Sequence, residues 1–260
     1  MIKLVASDMD GTLLPDFDSY ITEEMFDIIR ELKKHGITFL AASGRQHPNL
    51  EHLFTPVKDD IYYMCENGCL LYVDGKMVRK EVMDYGLGQE LLHAIMEKPG
   101  AEALVSGEET CYIQPKDPEY LVQIRDVVRN EVTVVDDIFN TPEEYFKISV
   151  YEKNDAGQAA EYWQRLFGDE ATVVTSGLTW IDMMPKNVNK GTSISWLMHY
   201  LGITPKEVMA FGDNYNDEEM LNLVEYSYAM KKAPKDIKDF CYGTTGSVEK
   251  TLRKFLADLR

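Results

Sequence analysis

The sequence predicts an α/β protein in which a doubly wound parallel sheet forms the core and an α+β domain is inserted into it. Apolar runs of strand length alternate with helical stretches in residues 1–83 and again in residues 186–260. This alternation is typical of a parallel sheet with helical crossovers. Residues 84–185 instead contain short strand-like runs grouped in pairs. A chain of 260 residues has room for both domains.

The first predicted strands are apolar runs that stop at polar turns, as buried parallel strands do. They comprise residues 2–7, 37–42 and 61–64, and residues 70–79 predict a hairpin. Between the first two strands, Thr22 is a candidate N-cap and Gly36 a candidate helix end. One face of this helix is apolar, with Met25, Ile28, Ile29 and Leu32.

The remaining elements follow the same two patterns. In the inserted segment, helices are predicted near 88–97, 117–129 and 155–167, and strands at 102–106, 111–115, 132–137, 145–152, 172–176 and 179–185. These strands are expected to form hairpin-like pairs in chain order. Alternation then resumes, with helices at 192–201, 217–224 and 247–258 and strands at 207–212 and 226–230.

Composition excludes several function classes. The 27 basic and 44 acidic residues give a net charge of −17, which argues against binding to nucleic acid or to an anionic membrane surface. No apolar stretch of about 20 residues offers a membrane span, and the first residues do not read as a signal peptide. The four cysteines form no CxxC pair. We therefore expect a cytoplasmic protein.

Three predicted strands end in polar clusters, namely residues 8–12, 43–45 and 212–217. Ligands bind at the carboxyl ends of strands in open parallel sheets, so these clusters are expected to meet if their strands are neighbours. A fourth cluster, residues 189–192, lies where a helix begins, and free N–H groups there favour anions.

Such a meeting would crowd four carboxylates into one crevice: Asp8, Asp10, Asp213 and Asp217. Like charges at close range need compensation. A divalent cation with oxygen ligands supplies it, and Mg²⁺ is favoured when a phosphate is also bound. Zinc is disfavoured because the clusters contain no His or Cys. Lys190 is expected to neutralise a phosphoryl group.

The four clusters resemble the four motifs of the haloacid dehalogenase superfamily. They read DMDGTLL at 8–14, SGR at 43–45, NKG at 189–191 and GDNYND at 212–217. The insertion between the second and third motifs resembles that of Cof-type phosphatases, which carry an α/β cap. The resemblance covers the whole chain. It implies a Rossmann-like core domain at 1–83 and 186–260 and a substrate-specificity cap at 84–185.

The resemblance also implies a role for each motif residue. Asp8 is the expected nucleophile, forming an aspartyl-phosphate, and Asp10 the general acid and then base. Lys190 stabilises the charge on both Asp8 and the phosphoryl group. The Mg²⁺ ligands are Asp8, the backbone carbonyl of Asp10, and Asp213, while Asp217 orients the metal-bound waters and Lys190. The expected phosphate- or substrate-binding residues are Gly11, Thr12, Ser43, Gly44, Arg45 and Asn216.

Some positions leave alternatives open. Arg45 either meets the leaving group of the substrate or forms a structural ion pair. Asn187 replaces a glycine found in many relatives, and asparagine tolerates the left-handed conformation that this turn needs. Lys231 and Lys232 occupy a loop expected beside the crevice, where they either affect an anionic substrate or point to water.

The expected activity is hydrolysis of small phosphorylated metabolites, such as sugar phosphates or cofactor phosphates. Two alternatives remain: a phosphotransferase or phosphomutase that uses an acceptor hydroxyl in place of water, and a catalytically silent ligand-sensing protein. An intact pair of Asp8 and Asp10 argues against the silent protein. The substrate is the expected partner, and the chain is expected to be a monomer or a small homo-oligomer.

Overall fold

The computed structural model describes residues 1–14, 20–108, 110–128, 132–152, 156–176 and 179–259. Contacts divide the chain into two compact units. The core unit comprises Met1–Lys80 and Asn189–Arg260, and the inserted unit comprises Glu81–Val188. The inserted unit extends three residues beyond each end of the predicted segment 84–185.

The core unit contains one eight-stranded sheet in the order β14-β13-β12-β1-β2-β3-β4-β5. Its strands are β1 (Leu4–Ser7), β2 (Thr38–Ala42), β3 (Ile61–Cys65), β4 (Leu70–Val73), β5 (Lys76–Lys80), β12 (Val208–Gly212), β13 (Tyr226–Met230) and β14 (Gly243–Thr245). The six strands from β14 to β3 pair in parallel, whereas β4 and β5 form the predicted antiparallel hairpin.

The side of the sheet on which the chain adds new strands changes at β1. From β1 the chain adds β2 and β3 on one side and later β12 to β14 on the other. Ser7, the last residue of β1, is in register with Ala41 of β2 and Phe211 of β12. The loops that follow these three strands therefore leave the same edge of the sheet, at the switch point where α/β proteins bind ligands.

Helices cover the sheet of the core unit. They are α1 (Glu23–Lys34), α2 (His47–Leu53), α6 (Lys190–Leu201), α7 (Glu218–Leu223), α8 (Lys235–Phe240) and α9 (Val248–Asp258). Thr22 caps α1 as predicted, accepting a hydrogen bond from the Met25 N–H. On one face of the sheet, Leu4 and Ala6 pack with apolar residues of α6, α7 and α8, while α1 contacts both β2 and α9.

The inserted unit contains a six-stranded sheet in the order β10-β11-β9-β6-β7-β8. Its strands are β6 (Ala101–Gly107), β7 (Cys111–Ile113), β8 (Val132–Val134), β9 (Tyr145–Glu152), β10 (Ala171–Thr175) and β11 (Trp180–Pro185). The predicted pairs β6 with β7 and β10 with β11 are confirmed. The expected pair of β8 with β9 is wrong, because β8 pairs in parallel with β7, and β9 lies between β6 and β11.

The α-helices in the described part of the inserted unit are α3 (Tyr85–Glu97), α4 (Pro118–Val122) and α5 (Ala156–Phe167). Residues of α3 and α5 form its main apolar core with one face of the sheet. The prediction of one continuous helix at 117–129 is wrong, because the α-helix α4 ends at Val122 and a π-helix follows over Gln123–Val128. Residue 129, like residue 155 at the start of the next predicted helix, lies outside the described residues. None of the helices described in either unit has the length and apolar character that crossing a membrane requires.

Candidate active site

Four segments of the core unit meet at the carboxyl edge of its sheet. Direct side-chain contacts join them: Lys190 contacts Asp8 and Asp217, Thr12 contacts Asp213, and Arg45 contacts Asp10. The structure therefore brings together the four clusters that the sequence singled out. All of these residues belong to one unit, and its sheet and the start of α6 position them.

Lys190 lies at the centre of the site with no exposed surface. Its Nζ donates to Asp8 Oδ1 at 2.6 Å and to Asp217 Oδ1 at 2.7 Å. Lys190 is the first residue of α6, which starts two residues earlier than predicted because Asn189 caps it by accepting from the Thr192 N–H. Burial opposes the charged amine, but Asp217 and Asp8 outweigh it and raise the pKa of Lys190. The amine is therefore charged at neutral pH.

The site contains more carboxylates than this single lysine can neutralise. Oxygens of Asp8, Asp213 and Asp217 lie within 4.8 Å of one another. Burial and the charges of Asp217 and Asp213 hold the pKa of Asp8 well above its usual value, although Lys190 lowers it. Burial and Asp217 raise the pKa of Asp213 to about 6. This excess of negative charge on an all-oxygen donor set fits a hard divalent cation such as Mg²⁺.

Asp217 differs from the other two carboxylates because protein donors already occupy both of its oxygens. Oδ1 accepts from Lys190, and Oδ2 accepts from the N–H groups of Asp213 at 2.9 Å and Asn214 at 3.2 Å. Gly212 permits this arrangement, since a Cβ there would lie 2.6 Å from the Cβ of Asp217. Asp217 therefore orients Lys190 and the loop that carries Asp213, as expected of a supporting residue.

Asp10 faces Arg45 across the site. Arg45 Nε donates to Asp10 Oδ2 at 2.7 Å and Nη2 to Asp10 Oδ1 at 2.5 Å. Arg45 was expected either to meet the leaving group or to form a structural ion pair, and the structure shows an ion pair. The partner of Arg45 in this pair is Asp10, the expected general acid. Asn49, four residues further along the chain and in α2, accepts from Arg45 Nη1 at 2.9 Å.

Gly11 and Thr12 shape the loop after β1. Gly11 has φ +92°, and a Cβ at this position would lie 2.3 Å from Asp213 Oδ2, so the close approach of Asp213 requires glycine. The Thr12 hydroxyl donates to Asp213 Oδ1 at 3.1 Å. The N–H groups of both residues donate within the loop, to the carbonyls of Leu14 and Met9. Their use as phosphoryl donors stays a prediction.

A fifth segment of the site, the turn Glu66-Asn67-Gly68 after β3, was not among the clusters predicted from the sequence. Its three residues all have positive φ, between 51° and 103°. The Asn67 N–H donates to the Ser43 carbonyl, and its Oδ1 accepts from Asn216 Nδ2 at 3.2 Å. Gly44 also packs against Asn67, since a Cβ there would lie 3.2 Å from the amide. Asn67 therefore joins the cluster at 43–45 to the cluster at 212–217. The available signal in the sequence was that a third parallel strand also ends in a polar turn.

The structure bears on two departures from the family pattern. Asn187, in the inserted unit, has φ +65°, which confirms that asparagine takes the left-handed conformation. Lys231 and Lys232 are both exposed. Even so, the charge of Lys232 is close enough to act against the raised pKa of Asp213.

Asp213 makes stability depend on pH. Because folding raises its pKa from 3.8 to about 6, its stabilising contribution is full below about pH 4 and is lost as the pH rises through 6. In EDTA, the free energy of unfolding of the wild type should therefore fall between pH 5 and 7.5 relative to that of Asp213→Asn. Mg²⁺ should stabilise the wild type more than the variant at pH 7.5. A constant difference between the two proteins across this range, by chemical denaturation, would contradict the assignment.

Comparisons with known proteins identify the family of this chain. The family model described as haloacid dehalogenase-like hydrolase matches residues 5–251. A 5-amino-6-(5-phospho-D-ribitylamino)uracil phosphatase of Escherichia coli is 28% identical, over 89% of this chain and 86% of that protein. An HMP-PP phosphatase of an Enterobacter species is 26% identical, over 90% and 85%. A crystal structure of a Streptococcus mutans protein superposes with a TM-score of 0.90 at 26% identity and covers 99% of this chain and all of that one.

Proposed function

Because the chain belongs to the haloacid dehalogenase-like hydrolase family, and relatives along nearly its whole length are phosphatases, we propose that it is a Mg²⁺-dependent phosphatase of small phosphorylated metabolites. It acts through an aspartyl-phosphate on Asp8. Sugar phosphates and cofactor phosphates are the substrate classes that we favour.

One observation carries the proposal: a fully buried Lys190 bridges Asp8 and Asp217, with Asp213 beside them. A buried charge is costly unless it is paired and hydrogen-bonded. Three carboxylates around one lysine leave the site short of positive charge, which favours binding of a cation. A protein that only sensed a ligand would have no need of this arrangement together with an acid at Asp10.

In the first step, a carboxylate oxygen of Asp8 bonds to phosphorus while the bond from phosphorus to the leaving oxygen breaks. Asp10 gives its proton to that oxygen, so the product leaves as a neutral alcohol. In the second step, Asp10 takes a proton from water as the water oxygen bonds to phosphorus. The bond from phosphorus to Asp8 then breaks, which releases inorganic phosphate and restores the Asp8 carboxylate.

The other residues support these steps. Lys190 neutralises charge on Asp8 and the phosphoryl oxygens, and Asp217 holds Lys190 in place. Asp8, Asp213 and the backbone carbonyl of Asp10 would hold Mg²⁺, which when bound reduces the repulsion between the Asp8 carboxylate and the phosphoryl group. We assign donation to phosphoryl oxygens to the remaining polar groups of the site, which are Gly11, Thr12, Ser43, Gly44 and Asn216.

We assign selection of the leaving group to the inserted unit. Its predicted limits were 84–185, and it forms a separate compact unit with its own apolar core. Among the described residues, the group of carboxylates suited to a metal lies in the core unit. The inserted unit is therefore available for recognition rather than for the chemical steps.

A phosphate-release screen over a panel of phosphorylated metabolites tests the proposed function. Phosphate should appear with Mg²⁺, be lost in EDTA and return when Mg²⁺ is restored. The Asp213→Asn variant should need a higher Mg²⁺ concentration for half-maximal rate, because one carboxylate ligand is replaced by a neutral amide. Full activity in EDTA would contradict the metal dependence. Transfer of phosphate to an added alcohol at a higher rate than its release to water would favour the phosphotransferase instead.

A further inference from the structure

The ion pair of Arg45 and Asp10 occupies both oxygens of the carboxylate that the proposed function needs at the leaving group. The guanidinium donates through Nε to one oxygen and through Nη2 to the other. Both side chains are mostly buried, with 22% of Arg45 and 29% of Asp10 exposed. A bidentate, partly buried pair is among the stronger ion pairs in proteins.

Asn49 fixes the third nitrogen of the guanidinium. Its Oδ1 accepts from Nη1 at 2.9 Å, and the Arg45 N–H donates to Ser43 Oγ at 3.1 Å. Each oxygen of Asp10 therefore already accepts a hydrogen bond from Arg45, and opening the pair would free both oxygens for contact with a leaving oxygen. A neutral leaving group, such as a polyol, offers Arg45 hydrogen-bond acceptors but no negative charge to replace that of Asp10. An anionic group offers both, because phosphate and carboxylate match the guanidinium fork as well as Asp10 does.

The other cation at the centre of the site cannot serve this purpose. Lys190 is fully buried between Asp8 and Asp217, so it is committed to the phosphoryl group that reacts. Arg45 is partly exposed and has a partner that a ligand can replace. Burial opposes its charge, but the hydrogen bonds and charge of Asp10, together with the charge of Asp8, raise the pKa of Arg45.

We propose that Arg45 exchanges partners: it holds Asp10 in the free enzyme and binds a second anionic group on the leaving part of the substrate. This releases Asp10, which takes up a proton from water and passes it to the leaving oxygen. The preferred substrates are then phosphate esters or anhydrides whose leaving group carries a further phosphate or carboxylate. This inference rests on the proposed function of Asp10.

Two substrates of similar size test the exchange: 2-phosphoglycolate, whose leaving group carries a carboxylate, and 2-hydroxyethyl phosphate, whose leaving group is neutral. In the wild type, kcat/KM should favour phosphoglycolate by about tenfold or more, the value of a charge-assisted pair. Arg45→Gln should lower kcat/KM for phosphoglycolate by a similar factor and raise it for the hydroxyethyl ester, because Asp10 no longer has to be released. Arg45→Lys, which keeps the charge but loses the fork, should fall between the two.

The control is Arg30→Gln, which removes an exposed arginine of α1 paired with Asp27 and should leave both rates unchanged. Equal loss on both substrates in Arg45→Gln would overturn the exchange, since Arg45 would then hold Asp10 in its working position. Unchanged rates on both would overturn it as well.

A binding measurement keeps the inference separate from the proposed function. By calorimetry with saturating Mg²⁺, methylenebisphosphonate should bind the wild type at least about tenfold more tightly than methylphosphonate, and Arg45→Gln should lose most of this preference. If the wild type released phosphate from no substrate, the phosphatase proposal would fail while this preference still tested Arg45. Equal affinities for the two phosphonates in the wild type would overturn the exchange.

Discussion

Asp8→Asn should abolish phosphate release, with a loss of about 10⁴-fold or more, because removing a catalytic nucleophile typically costs that much. The amide cannot form the acyl phosphate that the proposed mechanism requires. The loss should be the same for a sugar phosphate and for an activated aryl phosphate, since both substrates need the same covalent step. Phosphate release at saturating Mg²⁺, measured with both substrates, checks this.

The variant should remain folded, because asparagine has nearly the shape of aspartate and Lys190 keeps Asp217 as a partner. A matched control is Asp27→Asn, which makes the same chemical change at an exposed position of α1 and should keep full activity. Substantial turnover by a folded Asp8→Asn variant would exclude the covalent mechanism. Mass spectrometry of the wild type, quenched during turnover of the aryl phosphate, should find one phosphoryl group on Asp8 and none on the variant.

Much of the core unit could be predicted because buried parallel strands have unbroken runs of apolar residues in the sequence. The runs at 37–42 and 61–64 became β2 and β3 within one residue at each end. Three short elements could not be predicted. In α8, Ile237 is the buried residue among polar neighbours; α2 carries a proline in its first turn; and β14 has three residues. None is long enough to show a period.

In the inserted unit, pairing partners were harder to infer than strands. The expectation of β8 with β9 assumed that strands adjacent in sequence pair as hairpins. However, α4 and the π-helix lie between β7 and β8, which gives the chain the crossover that a parallel pair needs. The eight-residue β9 is then free to pair with β6 and β11 in the middle of the sheet.

In the candidate site, side-chain contacts were likewise harder to infer than the positions of the residues that make them. The motifs brought Asp8, Lys190 and Asp213 to one place because each follows a strand or begins a helix at the same sheet edge. They could not show that Arg45 donates to both oxygens of Asp10, because that contact depends on the rotamers of two side chains that are 35 residues apart in sequence. The polar turn after β3 could have indicated Asn67 as a candidate, but its contact with Asn216 depends on a left-handed backbone that sequence spacing does not encode.

Lys190→Met should have the second large effect, and it should act on stability as well as on rate. Without the amine, buried Asp8 and Asp217 and half-buried Asp213 would be left as a group of like charges. Removing one partner of a buried ion pair costs about 3–5 kcal/mol, so the free energy of unfolding should fall by that amount at pH 7.5 in EDTA. Because Lys190 lowers the pKa of both Asp8 and Asp213, the variant should regain stability as the pH falls and these groups take up protons.

The double variant Lys190→Met with Asp217→Asn separates the structural role of this lysine from its catalytic role. Removing the charge of Asp217 relieves the repulsion, so the double variant should be more stable than Lys190→Met at pH 7.5. Its rate should stay about 10²–10³-fold below that of the wild type, because the charge that stabilises the transferring phosphoryl group is still missing. Lys34→Met, which removes an exposed lysine of α1, is the matched control and should change neither quantity. If the double variant recovered wild-type turnover along with its stability, Lys190 would serve only to neutralise the buried carboxylates, and another group would have to stabilise the phosphoryl charge.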